Sequence, residues 1–113
     1  IAVEFAGLLR GLGAEVDLIY RASLPLRGFD EDIRAALAEA MTAQGIRLNP
    51  DVSPTRITRA DGELLLGMST NFVREVDAVF FCTGRLPNTA GLNLDAAGVA
   101  TKANGPVLVA DDH

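Results

Sequence analysis

The sequence predicts an α/β fold with a mostly parallel sheet and a small antiparallel excursion, and three observations predict it. Apolar spacing switches between helical and alternating periods in the order helix, strand, helix, strand. An Asp61-Gly62 pair, a favoured two-residue hairpin turn, separates two strand-like runs. Finally, Ala78-Val79-Phe80-Phe81-Cys82 is a continuous apolar run, the pattern of a strand buried on both faces.

Taken in order, Ala2, Phe5, Ala6, Leu9 and Leu12 recur at helical spacing over residues 1–12. Gly13 is placed to end that helix in the left-handed conformation that glycine adopts without strain. Residues 15–21 then alternate: Val16, Leu18 and Tyr20 face one way, Asp17, Ile19 and Arg21 the other. A loop over residues 22–29 leads to the clearest element. There Asp30 is an N-cap, Glu31 and Asp32 complement the positive end of the helix dipole, and Ile33, Leu37 and Met41 form a stripe. Gly45 closes this helix and Ile46-Arg47-Leu48 reads as a short strand. Residues 55–66 read as a hairpin on Asp61-Gly62, and residues 72–76 as a third antiparallel strand.

With 113 residues the chain is about one small domain long. No apolar run approaches the ~20 residues that a bilayer span needs, and no basic-then-apolar stretch occurs. The formal charge of −5 disfavours binding to nucleic acid or to an anionic membrane, so any basic site must be local and suited to one small anion. Cys82 is the only cysteine and His113 the only histidine. This excludes an internal disulfide and leaves no Cys/His metal cluster to expect. The chain opens on Ile1, already in helical sequence without a capping residue, and stops just after an apolar run. An internal piece of a longer protein is expected.

The one basic stretch in this acidic chain follows the first strand. Arg21 falls at its carboxyl end, where open α/β sheets bind ligands, and Arg27 follows six residues later. In dinucleotide folds an acidic residue at this place hydrogen-bonds the free 2′-hydroxyl of NAD. A 2′-phosphate would be repelled by a carboxylate and calls instead for guanidinium groups. Here Tyr20 and Arg21 stand at that place, and no carboxylate follows until Asp30. The competing reading is of two ordinary solvated arginines. The glycine-rich phosphate loop would lie just upstream of Ile1, with Ala2 as its final small residue and Glu4 near the mouth of the site. Glu4 fits equally well as an exposed first-turn carboxylate.

The segments Ile1-Ala2-Val3-Glu4-Phe5-Ala6-Gly7, Ile19-Tyr20-Arg21, Leu26-Arg27-Gly28-Phe29-Asp30 and Cys82-Thr83-Gly84-Arg85-Leu86-Pro87-Asn88-Thr89 occur in that order. Leu92-Asn93-Leu94-Asp95-Ala96-Ala97-Gly98-Val99 and Val107-Leu108-Val109 follow them. Together they resemble the glutathione reductase family of class I pyridine nucleotide-disulfide oxidoreductases, over nearly the whole chain. The resemblance implies an incomplete Rossmann-like three-layer domain, with the first strand and the Gly-rich loop missing. Residues 1–86 would be a partial NADPH-binding domain, and residues 87–113 the connection returning toward the FAD domain.

Carried over residue by residue, the resemblance places Arg21 and Arg27 on the 2′-phosphate of NADPH. Ile1 and Glu4 would lie beside the nicotinamide, Glu4 orienting the carboxamide or a nearby lysine, while Ala2 would be the small residue that ends the phosphate loop. Gly84 would let the backbone approach the cofactor, and Arg85 would help to join the NADPH and FAD domains; read without the family, Gly84 and Pro87 simply stop a strand. The parent enzyme would reduce glutathione disulfide with NADPH, through FAD and a redox-active cysteine pair. That pair and the catalytic histidine would lie outside this chain, which by itself would be inactive. Cys82 reads as a small core residue. Two departures stand out: Ala22 replaces a His or Lys of many relatives, and Ala110 replaces an Asp.

The implied partners are NADPH and glutathione disulfide, with no nucleic acid and no membrane. A homo-oligomer and a cytoplasmic location are expected. An NAD-dependent dihydrolipoyl dehydrogenase would carry Glu near Tyr20, which argues against it. A trypanothione reductase would share both arginines, and a structural module without a competent nucleotide site remains the non-enzymatic alternative. Losing the first strand would expose sheet edges and favour self-association of the isolated piece.

Overall fold

The computed structural model describes residues 1–103 and 105–109; Ala110 and His113, singled out above, lie outside the described residues. The chain divides into two compact units, Ile1–Cys82 and a second that begins at Thr83. The fold is α/β, with a parallel sheet and an antiparallel sheet.

Helix α1 spans Ala2–Gly11 and stops where Gly13 takes φ +96°. Backbone bonds from Gly13 N–H to the Arg10 carbonyl and from Ala14 N–H to the Leu9 carbonyl satisfy its last turn. Strand β1, Asp17–Ile19, is shorter than the run of residues 15–21 because its partner among the described residues, β2, is the equally short Arg47–Asn49. The two run parallel, with Leu18 opposite Leu48, and flanking bonds from Arg47 N–H to Val16 and from Tyr20 N–H to Asn49 lengthen the pairing.

Helix α2, Glu31–Ala43, begins on Asp30, whose carboxylate accepts the Asp32 N–H at 3.0 Å. It ends before Gly45, at φ +84°. Of its expected stripe, Met41 is buried and Leu37 packs on the core. Ile33, near the helix start, is 59% exposed and contributes nothing there.

Ala6, Met41 and Ile46 form the centre of this core, with Val3, Val16, Leu18, Leu37 and Leu48 packed around them. Both helices therefore meet the sheet on the face that carries Val16 and Leu18. Side chains alternate along a strand, so Asp17 belongs to the opposite face. There Arg74 reaches it at 3.7 Å from the antiparallel sheet, the one ion pair between the two sheets among the described residues.

The antiparallel sheet has the order β3 (Pro54–Ala60), β4 (Glu63–Met68), β5 (Val73–Val76). Asp61 and Gly62, at φ 53° and 96°, make the expected tight turn between β3 and β4. Central strand β4 buries Leu66 and Met68, whereas β3, on the edge, is exposed throughout.

One expectation fails. Residues 78–82 form no strand, and Phe80 and Phe81 are each 59% exposed. A strand is defined by a hydrogen-bonded neighbour, and no described residue pairs with this segment. The ring of Phe80 lies 4.8 Å from that of Phe5. Cys82 is accordingly half-buried rather than sealed in a core.

Among its described residues the second unit has a 3₁₀ turn, Leu94–Ala97, and a bridge between Thr101 and Val107. The Thr89 hydroxyl donates to the Gly105 carbonyl at 3.0 Å and ties its two ends together.

Candidate functional site

The carboxyl end of β1 is built from three connections. Residues 12–16 between α1 and β1 are too few to let the chain travel, so α1 packs back along β1. Its first residues then lie at the end where β1 finishes. Ile1, Ala2 and Glu4 occupy that first turn. Ala2 is half-buried, and Glu4 is exposed.

Beyond β1 the chain bends through residues 20–29. Its path is fixed from two sides. From the segment just after β2, Val52 N–H donates to the Tyr20 carbonyl (3.1 Å) and Asp51 N–H to the Ala22 carbonyl (3.2 Å). From α2, Arg34 donates Nε to the Pro25 carbonyl at 2.7 Å and Nη2 to the Leu24 carbonyl at 2.8 Å. Pro25 is buried at this point, and Leu26 follows with φ 52°, a left-handed conformation uncommon outside glycine. A turn bond from Phe29 N–H to the Leu26 carbonyl, with Gly28 at φ 97°, completes the loop.

This frame presents Arg21 and Arg27. Both are exposed, and among the described residues neither makes a hydrogen bond or an ion pair. Arg10, Arg34, Arg47, Arg59 and Arg74 engage protein acceptors or carboxylates, whereas Arg56 and Arg85, like Arg21 and Arg27, make no hydrogen bond or ion pair among the described residues. What sets Arg21 and Arg27 apart is their place, just beyond the carboxyl end of a strand in a parallel pair, with their donors open.

The basic character of the stretch is tempered by one residue the sequence order conceals. Burial raises the pKa of the Tyr20 phenol, and the nearby Asp51 carboxylate raises it further. Asp51 is far along the chain and reaches this end only because β2 runs parallel to β1. Sequence reasoning also missed Arg34. A signal existed: a cation one turn into a helix is disfavoured by the dipole, so its presence there points to a tertiary use.

On the far face of β1, Asp17 Oδ2 accepts from Arg47 Nε (3.1 Å) and Nη2 (2.8 Å), and Oδ1 accepts from Asn49 at 3.2 Å. Burial pushes the Asp17 carboxyl up, but hydrogen bonds from Arg47 and Asn49 and the charges of Arg74 and Arg47 outweigh it. The net shift is downward. The Arg47 guanidinium is correspondingly raised, chiefly by its bonds to Asp17 and Glu15.

Gly84 and Arg85 belong to the second unit. Gly84 has φ +127°, a conformation that side chains rarely adopt, and Arg85 is exposed.

The sequence profile of the pyridine nucleotide-disulphide oxidoreductases matches residues 1–113. The chain belongs to that family. Within it, a glutathione reductase of Burkholderia cepacia is 42% identical over 109 residues, covering 96% of this chain and 24% of its own length. A trypanothione reductase of Leishmania donovani is also 42% identical, over 113 residues, covering 96% of this chain and 23% of its own. The chain therefore spans about a quarter of the curated relatives it matches.

Among solved structures, an HOCl-induced flavoprotein disulfide reductase of Escherichia coli superposes with a TM-score of 0.85 at 30% identity. The match covers 96% of this chain and 25% of that one. An engineered water-forming NADPH oxidase, solved with NADPH bound, superposes with a TM-score of 0.81 at 25% identity, covering 97% and 24%. Two of that oxidase's substitutions introduce arginines six positions apart, and another removes an aspartate directly before the first. The chain thus carries the family's α/β frame, with a parallel and an antiparallel sheet.

Proposed function

We propose that this chain is the NADPH-selecting part of a flavoprotein disulfide reductase that uses FAD and a cysteine pair to reduce glutathione disulfide. One observation carries the reading: Arg21 and Arg27, the two arginines after β1, are exposed and free of protein partners among the described residues. Their chemistry fits a 2′-phosphate, since each guanidinium offers a planar fork of donors and a permanent charge. A free 2′-hydroxyl would call for a carboxylate, and residues 20–29 contain none.

The engineered oxidase supports the same reading. It binds NADPH with arginines introduced at a six-residue spacing, which is the spacing of Arg21 and Arg27, and lacks the aspartate before the first. Here Tyr20 stands in front of Arg21. The first turn of α1, with Ile1, Ala2 and Glu4, comes to the same end of the sheet and suits the nicotinamide half. Gly84 and Arg85 are assigned to backbone approach and to the junction with an FAD domain, on the strength of the family motif.

When bound, nicotinamide and flavin supply the hydride and electron chemistry; the protein supplies orientation and charge. Cys82 is the chain's only cysteine, so the cysteine pair belongs to the rest of the parent protein. Choice of glutathione over trypanothione rests on family likeness, and assay of the full-length enzyme with both disulfides decides it.

Titration of the full-length protein with NADPH and NADH tests the cofactor assignment. NADPH should bind much more tightly. Arg21→Glu with Arg27→Glu should reduce that preference by at least about one to two orders of magnitude, since charge-assisted bonds contribute roughly 1.5–3 kcal/mol each. Equal binding of the two cofactors by the unmutated enzyme would refute it.

A further inference from the structure

We infer that Arg34, which contacts no cofactor in this reading, is a positioning residue that sets cofactor preference by fixing the loop on which Arg27 sits. The inference rests on the assignment of Arg21 and Arg27 to a 2′-phosphate and adds a residue to it.

The reasoning begins with what holds residues 22–29. Backbone bonds anchor Ala22 to Asp51 at the start and close a turn from Leu26 to Phe29 at the end. Between those anchors, the carbonyls of Leu24 and Pro25 accept from one side chain, Arg34, at 2.8 and 2.7 Å. Pro25 contributes no N–H of its own. A single guanidinium thus fastens two consecutive peptide units midway between the two cationic residues.

The anchor on α2 is firm. Arg34 N–H bonds to the carbonyl of Asp30, the N-cap, so the side chain leaves from the first hydrogen-bonded turn of a capped helix. Immediately after the clamp, Leu26 is held left-handed at φ 52°, against the preference of any residue with a Cβ, and Arg27 follows. Release of the Leu24 and Pro25 carbonyls would let residue 26 relax and swing Arg27 away. Charge-assisted phosphate bonds depend on placement, so this motion should weaken recognition of the 2′-phosphate while leaving the rest of the dinucleotide contacts in place.

Lysine does not replace the clamp. Its ammonium is a point charge on a flexible stem, without the rigid fork that spans two adjacent carbonyls. Charge and geometry can therefore be separated.

The experiment titrates the full-length enzyme and its Arg34→Met, Arg34→Lys, Arg27→Met and Arg27→Met/Arg34→Met variants with NADPH and with NADH. Equilibrium Kd is read by calorimetry. Arg34→Met should weaken NADPH about tenfold, the loss of roughly one charge-assisted bond, and NADH by less than about twofold. Arg34→Lys should recover less than half of the loss. The double variant should be no weaker than Arg27→Met alone, because Arg34 acts through Arg27.

Equal losses for both cofactors would reduce Arg34 to a general structural residue and overturn the inference. So would additive effects of Arg27→Met and Arg34→Met, full rescue by lysine, or unchanged NADPH affinity. Retained NADH binding certifies that a variant is folded; if Arg34→Met does not fold, the Arg34→Lys comparison decides. An unmutated enzyme without NADPH preference would instead bring down the underlying assignment, an outcome distinct from NADPH preference that survives loss of Arg34.

Discussion

At the residue scale, arginines divide by what they touch. Arg47 illustrates the structural use: with Asn49 it saturates the Asp17 carboxylate on a face of β1 where that side chain is only 11% exposed. A carboxyl whose folded pKa lies below its unfolded value contributes stability that is complete above the unfolded value, about 4. That contribution is lost as pH falls through the lowered folded value. Asp17→Asn should therefore cost about 1–3 kcal/mol at pH 6, because it weakens a charge-assisted network and leaves donors of Arg47 and Arg74 short of a partner. Urea unfolding at pH 6 and again near pH 3 measures the difference, which should narrow on acidification as the unfolded-state carboxyl takes up a proton that the native carboxylate resists. A gap that stays constant would show that the Asp17 charge is not the source. Arg21 and Arg27 could be singled out as candidates in the sequence because that reading depends on one strand end and on the lack of a nearby carboxylate. Arg34 and Asp51 could not, since each reaches the loop through tertiary packing of another element.

At the element scale, helix ends were the most legible features, because a cap is a local arrangement of backbone and one or two side chains. Gly13 and Gly45 both stop helices with positive φ, yet they differ in surroundings. A Cβ at Gly13 would meet open space, whereas at Gly45 it would lie 2.9 Å from Arg10 Nη2. Arg10 Nε also donates to the Gln44 carbonyl, so it covers the end of α2 from α1. Gly13→Ala should cost about 1–2 kcal/mol, the penalty of a left-handed alanine. Gly45→Ala should cost about 1 kcal/mol more, since Arg10 can move aside only by giving up a hydrogen bond. Chemical denaturation of both variants in the same protein provides the comparison, and equal costs would mean that the Arg10 contact contributes nothing. The stretch of residues 78–82 shows the opposite case. Its apolar run specifies burial on two faces, but a strand also needs a hydrogen-bonding neighbour, and composition carries no information about one. Strand β1 was overread for a related reason: alternation continues to Arg21, while pairing stops with the three residues of β2.

For the whole molecule, what the chain displays matters as much as what it buries. The fold class was legible because the order of helical and alternating segments admits few layered solutions. The proposed disulfide substrate was not, since it rests on family likeness and the chain spans about a quarter of the relatives' length. The core gathers Ala6, Met41 and Ile46, whereas Leu12, Phe80 and Phe81 remain largely exposed. Large apolar side chains left in water favour association, and Phe80 and Phe81 are adjacent on an extended segment with unpaired backbone among the described residues. The 113-residue chain on its own should accordingly sediment as an oligomer at micromolar concentration. Replacing both aromatic residues, Phe80→Ser with Phe81→Ser, should shift it toward monomer. The Phe5–Phe80 contact is lost in that variant, so circular dichroism must show that helices α1 and α2 persist. A monomeric unmutated chain would mean that these rings are tolerated in solvent. An oligomer unaffected by the double substitution would move the association to another edge, with the exposed strand β3 the next surface to probe by proline substitution.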